Sequence, residues 1–196
     1  MQDIQIKGTI SSVGFPDGNR FVIGHWTNSP IGEFTDLMWG TPEGKKILLA
    51  TNERVSNFVS AIYDFDETRI GDLKIDSDGR STFVSGFGLK INLRGGSIRG
   101  FIPPRPLYFT RFIENPIASM SMGVQTFGTS SRGVTEWYQA RKWRWVTSGE
   151  TELNGRSLGS PCPFIEPLRV GFSEPPRRSA IVELQVTIRF PSPIAL

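Results

Sequence analysis

Val182-Glu183-Leu184-Gln185-Val186-Thr187-Ile188-Arg189-Phe190 alternates apolar and polar residues without a break. Successive side chains of a strand point to opposite faces. Val182, Leu184, Val186, Ile188 and Phe190 therefore share one face, and Glu183, Gln185, Thr187 and Arg189 share the other. This is a half-buried β-strand. Comparable runs occur at 20–26, 34–39, 45–49, 71–76, 81–85, 89–93 and 142–147. Between such runs stand Pro16-Asp17-Gly18-Asn19, Thr41-Pro42-Glu43-Gly44, Asp76-Ser77-Asp78-Gly79 and Asn154-Gly155. Their Asp-Gly and Asn-Gly pairs supply the positive φ angles that tight hairpins need.

Two segments depart from this pattern. Val55, Phe58, Val59 and Ile62 fall at i, i+3, i+4 and i+7, preceded by Thr51 or Asn52 as a cap, which predicts an amphipathic helix from Glu53 to Ile62. Leu107 to Met122 is apolar and follows Pro103-Pro104-Arg105-Pro106. Pro116 interrupts it, which predicts a short helix, a break and another turn. No repeat, low-complexity tract or linker divides the chain. The expectation is a single domain over residues 1–196, mainly β and antiparallel, with one or two short helices.

Composition narrows the functions. One cysteine and one histidine among 196 residues exclude an internal disulfide and an ordinary His/Cys zinc site, although a carboxylate site for a hard cation stays open. No cofactor or metal is expected. The longest aliphatic run, Ile47 to Ala50, is too short for a transmembrane helix, and Met1 to Ile10 lacks the apolar core of a secretory signal. A cytoplasmic location without membrane contact is the expectation. The net charge of +3 is uneven: residues 1–98 carry 10 Lys/Arg and 12 Asp/Glu, residues 99–196 carry 12 and 7. Of those last 12 basic residues only Lys142 is a lysine, which suits holding anions better than amine chemistry.

Several motifs fail on inspection. Gly40 to Lys46 is too short for a phosphate loop, and Gly86-Phe87-Gly88 lacks the third glycine of a dinucleotide site. Cys162, between two prolines, has only the distant His25 as a partner base. The segment Trp137 to Trp145 mixes aromatics with positive charge, as nucleic-acid sites do. On a strand, however, Trp143 and Trp145 share one face while Lys142 and Arg144 share the other. That separates stacking from charge and disfavours nucleic acid as a partner.

Polar groups on apolar faces are more informative. Alternation puts Asp36 on the face of Phe34 and Met38, where its carboxylate would be desolvated and its pKa raised. A register slipped by one residue would instead expose it. His25 shares a face with Phe21 and Ile23. Tyr63-Asp64-Phe65-Asp66-Glu67-Thr68 packs three carboxylates into one connection, beside Arg69.

In order, Gly32-Glu33-Phe34-Thr35-Asp36 on a strand, a short helix, then Tyr63-Asp64-Phe65-Asp66-Glu67-Thr68 resembles the acetoacetate decarboxylase superfamily over roughly residues 20–95. The resemblance implies a curved sheet or closed cone enclosing a pocket, with the family's strand acid at Asp36. It also implies a lysine pair, one lysine forming a Schiff base, where this chain has Glu67 and Thr68. Schiff-base chemistry of the family type is therefore not expected. What remains is a protein that binds a small organic ligand, including an anionic one, through His25, Phe34, Met38, Tyr63 and Arg69. A non-covalent enzyme is the alternative. In it Asp36 or Glu67 would be the general acid or base, with Arg69 holding a substrate carboxylate. A nucleic-acid or protein interaction module using residues 137–145 comes third. Exposed edge strands can also pair two copies into a homodimer.

Overall fold

The computed structural model describes residues 1–193, positions 121 and 122 through their backbone. One long strand, β1 (Gln2–Gly14), lies in the middle of a curled sheet. On one side it pairs with β2 (Arg20–Asn28), which continues through antiparallel hairpins to β3 (Phe34–Gly40) and β4 (Lys46–Ala50). Helix α1 (Glu53–Ser60) then crosses over, and β5 (Glu67–Ile70) joins β4 in parallel. β6 (Leu73–Ser77), β7 (Ser81–Gly86) and β8 (Leu89–Gly95) form an antiparallel meander. After them come β9 (Gly100–Phe101), α2 (Leu107–Phe109), a π turn (Thr110–Glu114), α3 (Asn115–Met122) and β10 (Phe127–Thr129). The chain closes with β11 (Thr135–Leu153), β12 (Arg156–Ser157) and β13 (Ala180–Phe190), the last lying between β1 and β11.

β11 turns this sheet into a half-barrel. Its first half pairs with β13 and its last part with β8, with register shifts between Ala140 and Lys142 and between Val146 and Ser148. Such irregularities bend a strand and sharpen its twist. The meander β6–β8 is thereby folded back across the rear of β1–β3, where Ser11 and Thr82 hydroxyls share a hydrogen bond of 2.5 Å.

The sheet therefore has two cores, one on each face. The rear core packs Val13, Phe21, Ile23, Leu37, Ile47 and Leu49 against Leu73, Ile75, Val84, Leu89, Ile91 and Leu93. The concave face carries Ile4, Ile6, Trp26, Phe34, Leu48 and Leu184, covered by Val55, Phe58 and Val59 of α1. Burying both faces explains why β2 and β3 read as nearly continuous apolar runs. Asn52 caps α1 by accepting a 2.9 Å hydrogen bond from the Val55 amide, as the helix signal required.

Pro116 does not break the second helical segment. The turn before it widens: the Asn115 amide reaches back five residues to the Thr110 carbonyl, and helix continues through α3 to Gly123 in the left-handed conformation. A π turn relieves the clash between a proline ring and the carbonyl one turn earlier. The strand runs read from the sequence omit β1 and the first half of β11. In β1 the rear-facing positions Thr9 and Ser11 are buried hydroxyl residues, so the aliphatic signal is missing where the packing is tight.

Candidate functional site

The concave face encloses a cavity of ≈ 550 Å³. Val22, Gly24 and Trp26 of β2, Phe34, Asp36 and Met38 of β3, and Val182, Leu184, Val186 and Ile188 of β13 form its walls. Phe58 and Val59 of α1 and Leu168 and Val170 of the loop before β13 close two sides, while Phe109, Ile113 and Ile117 stand at the rim. Apolar side chains dominate, so the few polar groups stand out.

Asp36 is one of them. It lies beside Phe34 and Met38 and is 2 % exposed. Trp26 Nε1 donates to its Oδ1 at 2.9 Å. Burial raises its pKa to about 6, against the opposing pull of the Trp26 hydrogen bond. Gly24 makes this pair possible. Asp36 and Trp26 lean over it, and a Cβ there would overlap both Asp36 Oδ1 and Trp26 Nε1. Gly24→Ala is expected to separate the two groups and cost about 1–3 kcal/mol of stability, measured by denaturant unfolding.

The second polar group joins three side chains. Tyr63 follows α1, and its hydroxyl donates to Glu136 Oε2 at 2.6 Å. Tyr138, two residues along β11 from Glu136, donates to the same oxygen at 3.1 Å, and the two tyrosine hydroxyls also touch. Tyr63 and Tyr138 line the cavity, with Glu136 fully buried behind them. Burial pushes the Glu136 pKa up to about 7, opposed by the two tyrosine hydrogen bonds. Both tyrosines are held well above their ordinary range, by burial first and then by the Glu136 charge. Glu136 Oε1 has no hydrogen-bond partner among the described residues. Sequence reading missed Glu136, although the logic that singles out Asp36 applies to it. Alternation puts Glu136 with Tyr138 and Ala140, one residue out of phase with the tryptophans that attract attention there.

The remaining ionisable side chains on the lining already have partners. Arg105 donates through Nε to Glu114 Oε2 at 2.7 Å and through Nη1 to the Ala140 carbonyl at 3.0 Å, and Nη2 meets Glu114 Oε1. Glu174 accepts the amides of Leu168 and Arg169 at 2.7 and 2.6 Å. Three carboxylates thus line the cavity against one arginine, and that arginine is taken. None of the lining residues is a lysine. Among the described residues no three His, Cys, Asp or Glu side chains gather as metal ligands.

The other residues marked from the sequence lie elsewhere. His25 does share a face with Phe21 and Ile23, but that is the rear face: its Nδ1 lies 3.1 Å from the Ser77 carbonyl of β6. Glu67 and Arg69 are also outside. The parallel pairing of β5 sets them opposite Ile47 and Leu49, whose side chains belong to the rear core. Glu67 meets Lys45 and accepts from Arg69 Nε at 2.5 Å, and Arg69 also lies over the Trp39 ring. These hydrogen bonds, first Arg69 and then Lys45, pull the Glu67 pKa down to about 2. A half-buried carboxylate held ionised by two cations is a poor general acid or base, and Arg69 is engaged with it. Cys162 is pushed upward by burial, the opposite of an activated thiol.

The aromatic and basic residues around β11 part as alternation requires. Trp143 and Trp145 line the cavity. Lys142 lies 3.3 Å from Glu183, and Arg144 donates to the Gly79 and Gly96 carbonyls at 3.2 and 3.0 Å.

No protein-family profile matches the chain, and no curated protein matches it. A crystal structure of a protein provisionally named AttH, from Nitrosomonas europaea, aligns with 97 % of this chain at 14 % identity and a TM-score of 0.39. The alignment covers 53 % of that structure, so the chain spans about half its length.

Proposed function

We propose that the protein binds a small, mostly apolar molecule with an uncharged hydrogen-bonding end, held inside the concave cavity. One observation carries this reading: a cavity of ≈ 550 Å³, walled by aliphatic and aromatic side chains, has Asp36 and the Tyr63–Tyr138 hydroxyl pair as its polar anchors. That volume and lining suit a single organic ligand. The charge balance decides the polar end. An anionic ligand, entertained from the sequence, would enter a space already holding three carboxylates and no spare cation. A ligand hydroxyl can instead donate to a tyrosine oxygen or to Asp36, and a ligand carbonyl can accept from Asp36 when that carboxyl is protonated, without bringing a charge into a low-dielectric site.

The resemblance to the acetoacetate decarboxylase superfamily fits this reading in one respect, a strand acid facing an enclosed space. It does not carry the family's chemistry, because the cavity offers no amine. A second reading rests on Glu136. A carboxyl with a pKa about 7, reached through two tyrosines, is suited to general acid–base catalysis on a bound substrate. Asp36, at about 6, could serve as its counterpart across the cavity.

Titration with Nile red, a neutral dye whose emission rises in apolar surroundings, tests the binding reading. Saturable binding of one dye per chain is expected. Failure to bind this dye or any neutral apolar probe would remove the proposal.

A further inference from the structure

Segment 98–120 exposes an unusual amount of apolar surface. Phe101 is 67 % exposed, Tyr108 67 %, Phe112 63 %, Ile113 46 % and Met120 90 %. Isolated apolar residues on a surface need no explanation, but a contiguous set does. Tyr108 and Phe112 are four residues apart, as are Phe109 and Ile113, so these side chains leave the helix on one side. Phe109 and Ile113 also line the cavity. The apolar surface outside is thus continuous with the apolar space inside.

The charge carried by this stretch of chain is mostly positive. From Gly96 to Gly133 the chain holds Arg99, Arg105, Arg111 and Arg132 but a single acid, Glu114. Glu114 is buried against Arg105, and Arg132 pairs with Asp64. Arg99 and Arg111 have no carboxylate partner among the described residues. The Arg111 guanidinium lies over the Phe112 and Phe127 rings at 5.0 and 4.7 Å. A second copy of the chain docked here about a two-fold axis would bring one arginine-bearing patch against another with no unpaired acid between them. An anionic lipid surface meets both needs: phosphates for the arginines, and an acyl boundary for phenylalanine, tyrosine and methionine.

We propose that the face formed by segment 98–120 docks on anionic phospholipid surfaces, placing the cavity mouth against the bilayer so that an apolar ligand can pass between lipid and protein. No helix among the described residues is long and apolar enough to cross a membrane. The inference concerns surface contact, and it reverses the expectation of no membrane partner drawn from the sequence.

Co-sedimentation of the whole chain, without added ligand, tests it. The vesicles are phosphatidylcholine alone, or phosphatidylcholine with about one third phosphatidylglycerol. Binding to the anionic vesicles only is expected. Arg111→Gln should weaken it about fivefold, and Tyr108→Ser with Phe112→Ser about tenfold or more, each with an unchanged near-ultraviolet circular dichroism spectrum. Arg111→Gln alters only an exposed side chain, so the proposal stays testable should the double variant misfold. Two results would overturn it. One is equal or absent binding to both vesicle types. The other is a concentration-dependent dimer that the serine variants return to monomer, which would mean that a second copy covers this face.

Discussion

The double variant Asp36→Asn/Glu136→Gln should be more stable than the parent protein at pH 8 by several kcal/mol, and the advantage should shrink toward pH 4. Both acids have pKa values raised by burial, Asp36 from 3.8 to about 6 and Glu136 from 4.5 to about 7. Between the unfolded and folded values the folded protein holds a proton that the unfolded chain has released, so stability falls as pH rises. The stabilisation associated with the neutral forms is complete below about pH 4, declines through the window from there to about pH 7, and is absent above it. Each group accounts for roughly 3 kcal/mol across its window. The amides keep the size and the acceptor oxygen, so Trp26, Tyr63 and Tyr138 retain their partner. Surface acids held low by cations, such as Asp3 beside Arg189 and Glu67 beside Arg69, lose their stabilisation at the acid end and leave the range above pH 5 to the buried pair. Urea unfolding at pH 5 and pH 8 reads the difference. A double variant less stable than the parent at pH 8 would mean that the two carboxylates are paired with something unseen.

The second large effect concerns occupancy of the cavity. Val182 lies near the start of β13, and its side chain points into the empty space together with Leu184. Val182→Trp puts an indole where a ligand would lie. Because it fills space instead of displacing packed atoms, and because tryptophan suits a strand, folding should survive with a small cost. Affinity for a neutral apolar probe should fall about 100-fold, near 2.8 kcal/mol. Unchanged affinity in a folded variant would move the binding site out of the cavity, most directly to the exposed face of segment 98–120.

Strand alternation was legible where it governs one sheet face, and ambiguous where both faces are buried. In β13 the pattern assigns every side chain correctly, and in β3 it places Asp36 with Phe34 and Met38. In β2 it groups His25 with Phe21 and Ile23, yet nothing local says that this group faces the meander while Val22, Gly24 and Trp26 face the cavity. That depends on β6–β8 folding behind the sheet through the bends in β11, a long-range event. Glu67 and Arg69 were misplaced for the same reason: the parallel addition of β5 sets their face, and a crossover helix hides that register from the sequence. Glu136 was legible and overlooked. Pro116 predicted a break, but the chain absorbed the lost amide and the ring clash in a π turn.

Competition between two ligands that share one hydrocarbon chain and differ only at the polar end tests the central claim most directly. Displacement of Nile red by 1-decanol and by decanoate at pH 8 supplies it. Three carboxylates line the cavity and its one arginine is bound to Glu114. The alcohol should therefore compete at least about tenfold better than the carboxylate, the cost of bringing a further negative charge into that space. Equal competition, or tighter binding of decanoate, would contradict a cavity built around protonatable acids and uncharged ligands.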